Sequence, residues 1–317
     1  MFSIRFVVML LALHSAFFTV NADAVQRAHV ASYGLDSNTA FNCDVTRPCR
    51  FFQAATTVVD PKGEVVVLDS GGYGAVVVTK SISLIAPAGV YAGISVFPGS
   101  AGVNVVTPGV NVVLRGLTIN SQGGSYGIYM GVAGSLSVIN CDVANFSANF
   151  GDSGIAAFSG AKLRVVDTVV RDNFYGIRLF DGVVATISKV TVLGSSVGIY
   201  ASSTTAGVTT TAAISESTLS DNLIGVYANS TTANALARAS VIRTTITGGN
   251  FGIYSQGNAG IALSVALITV GESMVTGSAV YGLVQTGTGA ILRSLGNNTV
   301  DQNTSGNSGL ITTLALM

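Results

Sequence analysis

The chain has 317 residues, and its 15 basic and 15 acidic side chains leave it without net charge at neutral pH. A chain without net charge has no long-range field that attracts nucleic acid or an anionic membrane, so the composition argues against both kinds of partner. The 38 glycines, the absence of tryptophan and the low content of charged residues favour short strands broken by tight turns over long amphipathic helices.

The first residues carry the pattern of an export signal. Arg5 precedes an apolar run from Phe6 to Val20, which is followed by the small-residue signal Ala22-Asp23-Ala24. The run is shorter than the roughly 20 residues that span a bilayer, so it predicts a cleaved signal rather than a membrane anchor. We therefore expect residues 1–24 to be removed, no membrane span in the mature chain, and a secreted, periplasmic or cell-surface protein.

Residues 25–63 form an N-terminal segment that contains two of the three cysteines, Cys43 and Cys49. These two residues are close in sequence, and an exported protein folds in an oxidising compartment, so they are predicted to form a disulfide. Cys141 is predicted to be a buried small apolar residue.

The body of the fold is predicted to begin at Glu64 and to continue to residue 317 without a second domain. The stretches EVVVLDS, AVVVTKSISLIAP, GISVF and NVVLRGLTIN read as strands because their apolar runs are almost unbroken. The tail contains one or two further short strands and then polar turns.

A repeated motif, Gly followed by Ile, Leu or Val, recurs at intervals of 22 to 30 residues. Its glycines are Gly127, Gly154, Gly176, Gly198, Gly225, Gly252 and Gly282. A unit this short cannot bury a core alone, so successive units must stack, and the longer intervals become loops at the turns. We refer to these residues as the marker glycines; each is expected to permit either a positive φ or close packing.

Two apolar columns follow from the repeat, because equivalent residues of stacked units face the same way. The first column is Ile128, Ile155, Ile177, Ile199, Val226, Ile253 and Leu283. The second column is Val170, Val192, Leu219, Ile246 and Val275. Parallel strands laid about 4.8 Å apart by successive units make an all-β solenoid, a parallel β-helix.

The turns Asn173-Phe-Tyr-Gly-Ile and Asn222-Leu-Ile-Gly-Val resemble those of the right-handed parallel β-helices of the pectin-lyase-like superfamily, and the resemblance covers roughly residues 64–310. The entry segment CDVTRPCRFFQAATTV is similar to the start of a group of exported β-helix repeat proteins. In that group a short helix caps the open end of the coil, which implies a capping helix over Arg50 to Val59.

The resemblance implies several functions, since the fold occurs in polysaccharide lyases and hydrolases and in adhesins. Polygalacturonases carry N-T-D, D-D, G-H-G and R-I-K motifs, and none of these strings occurs here. The only histidine after residue 24 is His29, which precedes the first predicted coil. A histidine base in a groove of the solenoid is therefore not expected.

A lyase mechanism would require clustered carboxylates that hold Ca²⁺ and an Arg or Lys base. The sequence offers the weak catalytic candidates Asp142, Asp167, Arg171, Asp172 and Arg178. Ca²⁺ is expected only under this alternative, and otherwise no cofactor is predicted. Asp172 and Asp221 each precede an Asn and are expected to form turns through side-chain to backbone hydrogen bonds.

A charge ladder is the structural alternative to a catalytic cluster. The residues Asp167, Lys189, Glu216 and Arg243 occupy equivalent positions on successive units and alternate in sign. Stacked opposite charges attract, so stability of the stack alone favours this alternation.

A third row lies two residues after each marker glycine and is predicted to point outward. Its members are Tyr129, Ala156, Arg178, Tyr200, Tyr227, Tyr254 and Val284. Tyrosine offers an apolar face and a hydroxyl to a sugar, so the candidate binding residues are Tyr129, Arg178, Tyr200, Tyr227 and Tyr254. The alternative is that the rings stack on one another only to stabilise the coils. The predicted function is noncatalytic binding of polysaccharide by a monomer, with a polysaccharide lyase or hydrolase and a structural surface protein or adhesin as alternatives.

Overall fold

The computed structural model describes residues 25–258, 260 and 263–314. The predicted export signal, residues 1–24, lies outside the described residues. From Val76 onward each coil contributes one strand to each of three parallel sheets, in the order sheet C, sheet A and sheet B. The predicted parallel β-helix is confirmed. No helix in the described ranges is long and apolar enough to cross a membrane.

The strands of each sheet follow one another in chain order. Sheet A consists of Arg27–Val30, Glu64–Val67, Ile82–Ile85, Asn111–Arg115, Ser135–Ile139, Lys162–Val166, Val184–Ser188, Thr209–Ser215, Leu236–Ile242, Val265–Gly271, Ala290–Ser294 and Ile311–Thr313. Sheet B consists of Gly71–Gly72, Ala92–Val96, Leu117–Ser121, Asp142–Ala144, Val169–Arg171, Thr191–Leu193, Thr218–Ser220, Thr245–Thr247, Met274–Thr276 and Thr299–Asp301. Sheet C consists of Val76–Val78, Ala101–Val105, Tyr126–Met130, Ser153–Ala157, Tyr175–Phe180, Val197–Ser203, Ile224–Ser230, Phe251–Gln256, Tyr281–Thr286 and Asn307–Ser308.

The N-terminal segment is part of the stack. Its strand Arg27–Val30 pairs in parallel with Glu64–Val67, so sheet A begins ahead of the predicted start of the body. His29 therefore lies on the first strand of sheet A and not before it. A 3₁₀ helix, Asp36–Phe41, and an α-helix, Phe52–Val58, follow the strand. The α-helix confirms the one implied by the resemblance, and it buries Phe52 and Ala55 in the core at this end of the solenoid.

The two predicted cysteine states are confirmed. Cys43 and Cys49 form a disulfide with their Cα atoms 5.0 Å apart, and both are fully buried. The closed loop is fixed to the first strand, because His29 N donates to Cys43 O and Cys49 N donates to His29 O. Cys141 is a free, buried cysteine, and burial raises the pKa of its thiol to about 11.

Both predicted core columns are confirmed. Every member of the column that starts at Ile128 pairs in register with the next, and each is at most 2% exposed. The column that starts at Val170 is equally well aligned through Val275. Val275 stands seven residues before the next marker glycine, whereas the other members stand six residues before it. The longer spacing is absorbed in the turn, so it does not disturb the register.

The marker glycines are required for close packing and not for a positive φ. A Cβ on Gly127, Gly176, Gly198 or Gly225 would lie only 2.5 to 2.6 Å from the carbonyl oxygen of the next marker glycine. Gly102 also fits the sequence motif and extends the column toward the N-terminus, because a Cβ on it would lie 2.7 Å from Gly127 O. Each side chain at this position would force neighbouring coils apart.

Two tight corners complete each coil. At the corner from sheet A to sheet B, Asn140, Asp167, Lys189, Glu216, Arg243 and Glu272 all adopt a left-handed backbone with φ between 47° and 54°. The next residue of each corner turns inward and is buried, as Thr168, Ser217 and Thr244 illustrate. This use of charged residues in a left-handed conformation was not predicted.

The corner from sheet B to sheet C corrects the expectation for Asp172 and Asp221. Both adopt a left-handed backbone, with φ of 58° and 55°, but the side chain that bonds to the backbone belongs to the Asn that follows. Asn173 Oδ1 accepts from Phe146 N, and Asn222 Oδ1 accepts from Ser195 N, each at 3.0 Å. The buried amide reaches the neighbouring coil, whereas the preceding carboxylate points outward.

Candidate functional site

The row of residues two positions after the marker glycines lies on the outer face of sheet C. Neighbouring members of the row pair directly in the sheet, and the row runs without a break through Tyr129, Ala156, Arg178, Tyr200, Tyr227, Tyr254 and Val284. The predicted register is therefore correct at every coil of the row.

The tyrosine rings stack on one another along this row. The ring centroids of Tyr200 and Tyr227 are 5.0 Å apart, and those of Tyr227 and Tyr254 are 5.2 Å apart. Their hydroxyls are also engaged. Tyr227 donates to Gln256 Oε1, and Thr286 Oγ1 donates to Tyr254 Oη at 3.1 Å.

The exposure of this row differs from the prediction. Tyr200 is only 8% exposed and counts as buried, while Tyr129, Tyr227 and Tyr254 are half-buried. Burial occurs because rings from outside the row flank it: Tyr175 stacks on Tyr200 at 5.1 Å and Phe180 lies 6.3 Å from the same ring. The row therefore presents ring edges and partly covered faces.

These flanking rings extend the row into a continuous aromatic surface, which we call the aromatic strip. Each ring contacts the next with centroids 4.8 to 6.4 Å apart. The strip consists of Tyr126, Tyr129, Phe158, Tyr175, Phe180, Tyr200, Tyr227, Tyr254, Phe251 and Tyr281. Ala156, the small member of the row between Tyr129 and Arg178, is completely buried beneath the strip, so the aromatic surface is continuous at this coil.

The rings that sequence reasoning missed had a visible signal. Tyr126, Tyr175, Phe251 and Tyr281 each stand immediately before a marker glycine. Phe158 and Phe180 each stand four residues after a marker glycine, where sheet C ends and the coil turns toward sheet A. They lie two residues beyond members of the row and therefore share its face.

Arg178 lies within the aromatic strip. Its guanidinium carbon is 4.9 Å from the Tyr175 ring centroid, 5.0 Å from that of Phe180 and 5.3 Å from that of Phe158. Arg178 Nη1 donates to Gly151 O at 3.3 Å, its one hydrogen bond within the described residues. Gly151 belongs to the turn after Ala144, where Phe150 is 83% exposed and packs on Phe174 with centroids 4.8 Å apart.

The phenols of Tyr175 and Tyr227 stay protonated at neutral pH, because the pKa of each is raised. Burial raises the pKa of Tyr175, and the neighbouring Tyr200 adds to that effect while Arg178 opposes it. Burial, with the neighbouring tyrosines, also raises the pKa of Tyr227. These hydroxyls are therefore hydrogen-bond donors at neutral pH.

The structure brings together three of the five catalytic candidates. Arg171 lies between Asp142 and Asp172, with N–O distances of 3.6 and 3.2 Å. Asp167 lies at the corner from sheet A to sheet B, and Arg178 lies on sheet C. No group of three His, Cys, Asp or Glu residues suited to a metal occurs in the described part of the chain. The observed arrangement is a set of ion pairs.

The residues of the predicted charge ladder form a stacked column at the corner from sheet A to sheet B, and among the described residues Asp167 and Lys189 form no ion pair in it. The backbone N–H groups of Asp167, Lys189, Glu216 and Arg243 donate to carbonyls of the next coil at 3.2 to 3.3 Å. Arg243 forms ion pairs with Glu216 at 3.1 Å and with Glu272 at 3.7 Å, so the alternation of charge continues for one further coil. Asp167 thus has a place in this column.

Comparison with known proteins supports the fold. Residues 63–213 match the family model described as a right handed beta helix region. The crystal structure of pectate lyase Pel9A is similar with a TM-score of 0.52 and 16% identity, covering 86% of this chain and 80% of that chain. The crystal structure of the periplasmic alginate epimerase AlgG gives a TM-score of 0.42 and 11% identity, covering 81% of this chain and 76% of that chain. No curated protein matches the chain. The matched region and the similarity to Pel9A agree with the three parallel sheets: the chain is a right-handed parallel β-helix.

Proposed function

We propose that this chain is a noncatalytic polysaccharide-binding protein and that the aromatic strip of sheet C is its binding surface. The observation that supports this proposal most directly is the unbroken series of ring contacts from Tyr126 to Tyr281. A series of this kind runs along the axis of the solenoid and crosses seven strands of sheet C. At about 4.8 Å per strand it extends roughly 29 Å, which suits a linear polymer better than a single sugar.

The chemistry of the strip suits sugars. Apolar ring faces and edges pack against the C–H surfaces of a pyranose, and hydroxyls such as that of Tyr254 exchange hydrogen bonds with sugar hydroxyls. Half-buried rings lose little mobility on binding, because their neighbours already hold them in place. Tyr129, Tyr227 and Tyr254 are the members of the row that are both aromatic and partly accessible.

The same rings also stabilise the stack. An aromatic pair contributes about 0.5–1.5 kcal/mol beyond the area it buries. Tyr200 serves this role, since it is buried and has three ring neighbours. A binding test must therefore use Tyr129 or Tyr254, which lie farther from the centre of the stack and whose removal leaves the central rings in place.

Export to an oxidising compartment belongs to the same proposal. The Cys43–Cys49 disulfide supports it, because structural disulfides are rare in reducing compartments. The predicted signal over residues 1–24 is the second reason. A secreted or cell-envelope protein would meet polysaccharides directly.

The ion pairs formed by the catalytic candidates favour a noncatalytic role. Arg171 is paired with two carboxylates at once, so it is charged and occupied, whereas a general base has to be free to accept a proton. The similarity to pectate lyase Pel9A at 16% identity concerns the fold. Within the residues that the structure describes, no particular geometry favours the lyase alternative.

The test is a binding screen with the purified mature protein. Neutral and acidic polysaccharides are screened for affinity, and unsaturated products and reducing ends are followed with and without Ca²⁺. Tyr254→Ala and Tyr129→Ala should weaken binding about tenfold or more while the fold is retained. Tyr91→Ala is the matched control, because Tyr91 is 55% exposed and lies outside the strip.

Two outcomes would contradict the proposal. Unchanged affinity in folded Tyr129→Ala and Tyr254→Ala variants would remove the strip as the binding surface. Turnover that Arg171→Gln or Asp172→Asn abolishes would show an enzyme.

A further inference from the structure

Arg178 is the one charged residue in the row from Tyr129 to Val284. Among the residues that the structure describes, no carboxylate lies within ion-pair distance of its guanidinium. Its Nε atom is buried and has no hydrogen-bond partner there. Other described arginines also lack an ion pair, but Arg178 is the only described arginine with a buried side-chain nitrogen that has no hydrogen-bond partner.

The two carboxylates that adjoin residues in contact with Arg178 are occupied elsewhere. Asp152 adjoins Gly151, the bonding partner of Arg178, but its carboxylate accepts from Asn149 N at 2.8 Å. Asp181 follows Phe180, and its carboxylate accepts from the backbone and hydroxyl groups of Thr204 and Thr205 at 2.7 to 3.1 Å. Neither group neutralises Arg178.

The surroundings hold the guanidinium in one place. Three aromatic rings lie within 5.3 Å of it, and the Gly151 carbonyl fixes one end of the group. A planar guanidinium presents paired N–H donors whose geometry matches a carboxylate or a sulfate, and a site with few competing waters strengthens that contact. A cation that is positioned in advance and left without a partner is suited to an anionic ligand.

We infer that the aromatic strip binds an acidic polysaccharide and that Arg178 binds a carboxylate or sulfate group carried by one of its sugars. This inference rests on the proposed function of the strip and adds the class of ligand. Because the rest of the strip is aromatic and uncharged, one acidic sugar per bound segment is sufficient. Affinity should therefore depend on the presence of an acidic unit rather than on the charge density of the polymer.

The test compares polymers that share a backbone. A polyuronate is compared with its fully and its partly methyl-esterified forms, and a sulfated galactan with the unsulfated galactan. Wild-type protein should bind the acidic and partly esterified forms about tenfold more tightly than the neutral forms. The two pairs of polymers separate a carboxylate from a sulfate ligand.

Substitution of Arg178 identifies the residue responsible. Arg178→Gln should abolish the preference for acidic polymers by lowering affinity for them more than for the neutral forms, whereas Arg178→Lys should retain part of the preference. Arg238→Gln is the matched control, because Arg238 is exposed on sheet A, lies outside the strip and forms no ion pair among the described residues; it should have no effect on affinity. Thermal melting confirms that each variant is folded.

Each negative result has a distinct meaning. Equal affinity for acidic and neutral forms, with Tyr254→Ala still weakening both, overturns the role of Arg178 and leaves the strip as the binding surface. If Arg178→Gln lowers affinity for the acidic and the neutral polymers equally, and Arg178→Lys restores full affinity for neither, the residue only supports the rings. That result also overturns the inference. Absence of binding to every polymer contradicts the proposed function itself.

Discussion

Tyr200 and Tyr227 occupy neighbouring strands of sheet C, directly opposite each other, with ring centroids 5.0 Å apart and planes inclined by 28°. Equivalent residues of two coils are thus in direct contact. The contact is repeated between Tyr227 and Tyr254, so each ring is both a support for its neighbour and part of an outer surface.

Stability should depend on Tyr200 far more than on Tyr254. Tyr200→Ala removes a buried ring with three aromatic neighbours and should lower the free energy of unfolding by about 3 kcal/mol. Tyr254→Ala, at a half-buried position, should lower it by about 1 kcal/mol. Denaturant unfolding of both variants measures the difference, and equal losses would mean that burial does not govern the contribution of these rings.

The charge ladder should be detectable through its salt dependence. Arg243→Glu would place three acidic residues in succession beside Glu216 and Glu272, and should cost about 1–2 kcal/mol at low ionic strength. High salt should restore part of this loss by screening. Arg238→Glu is the control, since Arg238 is exposed and has no ion pair among the described residues. Identical melting of Arg243→Glu and wild type at both ionic strengths would contradict an electrostatic ladder.

Disruption of the disulfide should loosen the N-terminal end of the solenoid. Cys43→Ser and Cys49→Ser should each cost about 2–3 kcal/mol, because the closed loop no longer restricts the unfolded chain. Mass spectrometry under non-reducing conditions should find these two cysteines linked and Cys141 free. A bond between Cys141 and either of them would refute the assignment.

The marker glycines should tolerate no side chain. Gly198→Ala places a Cβ 2.6 Å from Gly225 O, and the sheet cannot widen locally, so a loss of about 2 kcal/mol or more is expected. Gly72→Ala provides the comparison, because the nearest atom to its Cβ would be 3.9 Å away. Near-equal stability of the two variants would show that the coils can separate at little cost.

Acid should destabilise the turn held by Asp181. Burial acts to raise the pKa of this carboxyl, but hydrogen bonds from Thr204 and Thr205 outweigh it and hold the pKa below its usual value. A depressed folded pKa stabilises the protein above the unfolded value of about 3.9, and this stabilisation is lost as the pH falls through the folded pKa. Asp181→Asn should therefore reduce stability at pH 6 and show a smaller decline below pH 4 than wild type. An equal decline in stability below pH 4 in both proteins would exclude this carboxyl as a source of the acid-dependent loss.

The sequence alone was sufficient to predict the solenoid, because a repeated unit places equivalent residues on the same face of successive coils. Ile177 and Ile199 illustrate this, as both lie in the core column that their spacing predicts. The Cys43–Cys49 bond was likewise accessible, since it depends on short-range sequence, and the helix near Phe52 followed from the resemblance of the entry segment to other β-helix proteins.

Only the tertiary structure decided which side chains from non-equivalent positions of the repeat come into contact. Phe158 and Phe180 lie two positions beyond the row that holds Arg178, and their approach to its guanidinium depends on side-chain conformations and on how the coils are stacked. The same holds for the burial of Tyr200, which is covered by Tyr175 and Phe180 from outside its own row. Periodicity specifies the face on which a side chain lies, whereas its neighbours across the face follow only from how the coils are stacked.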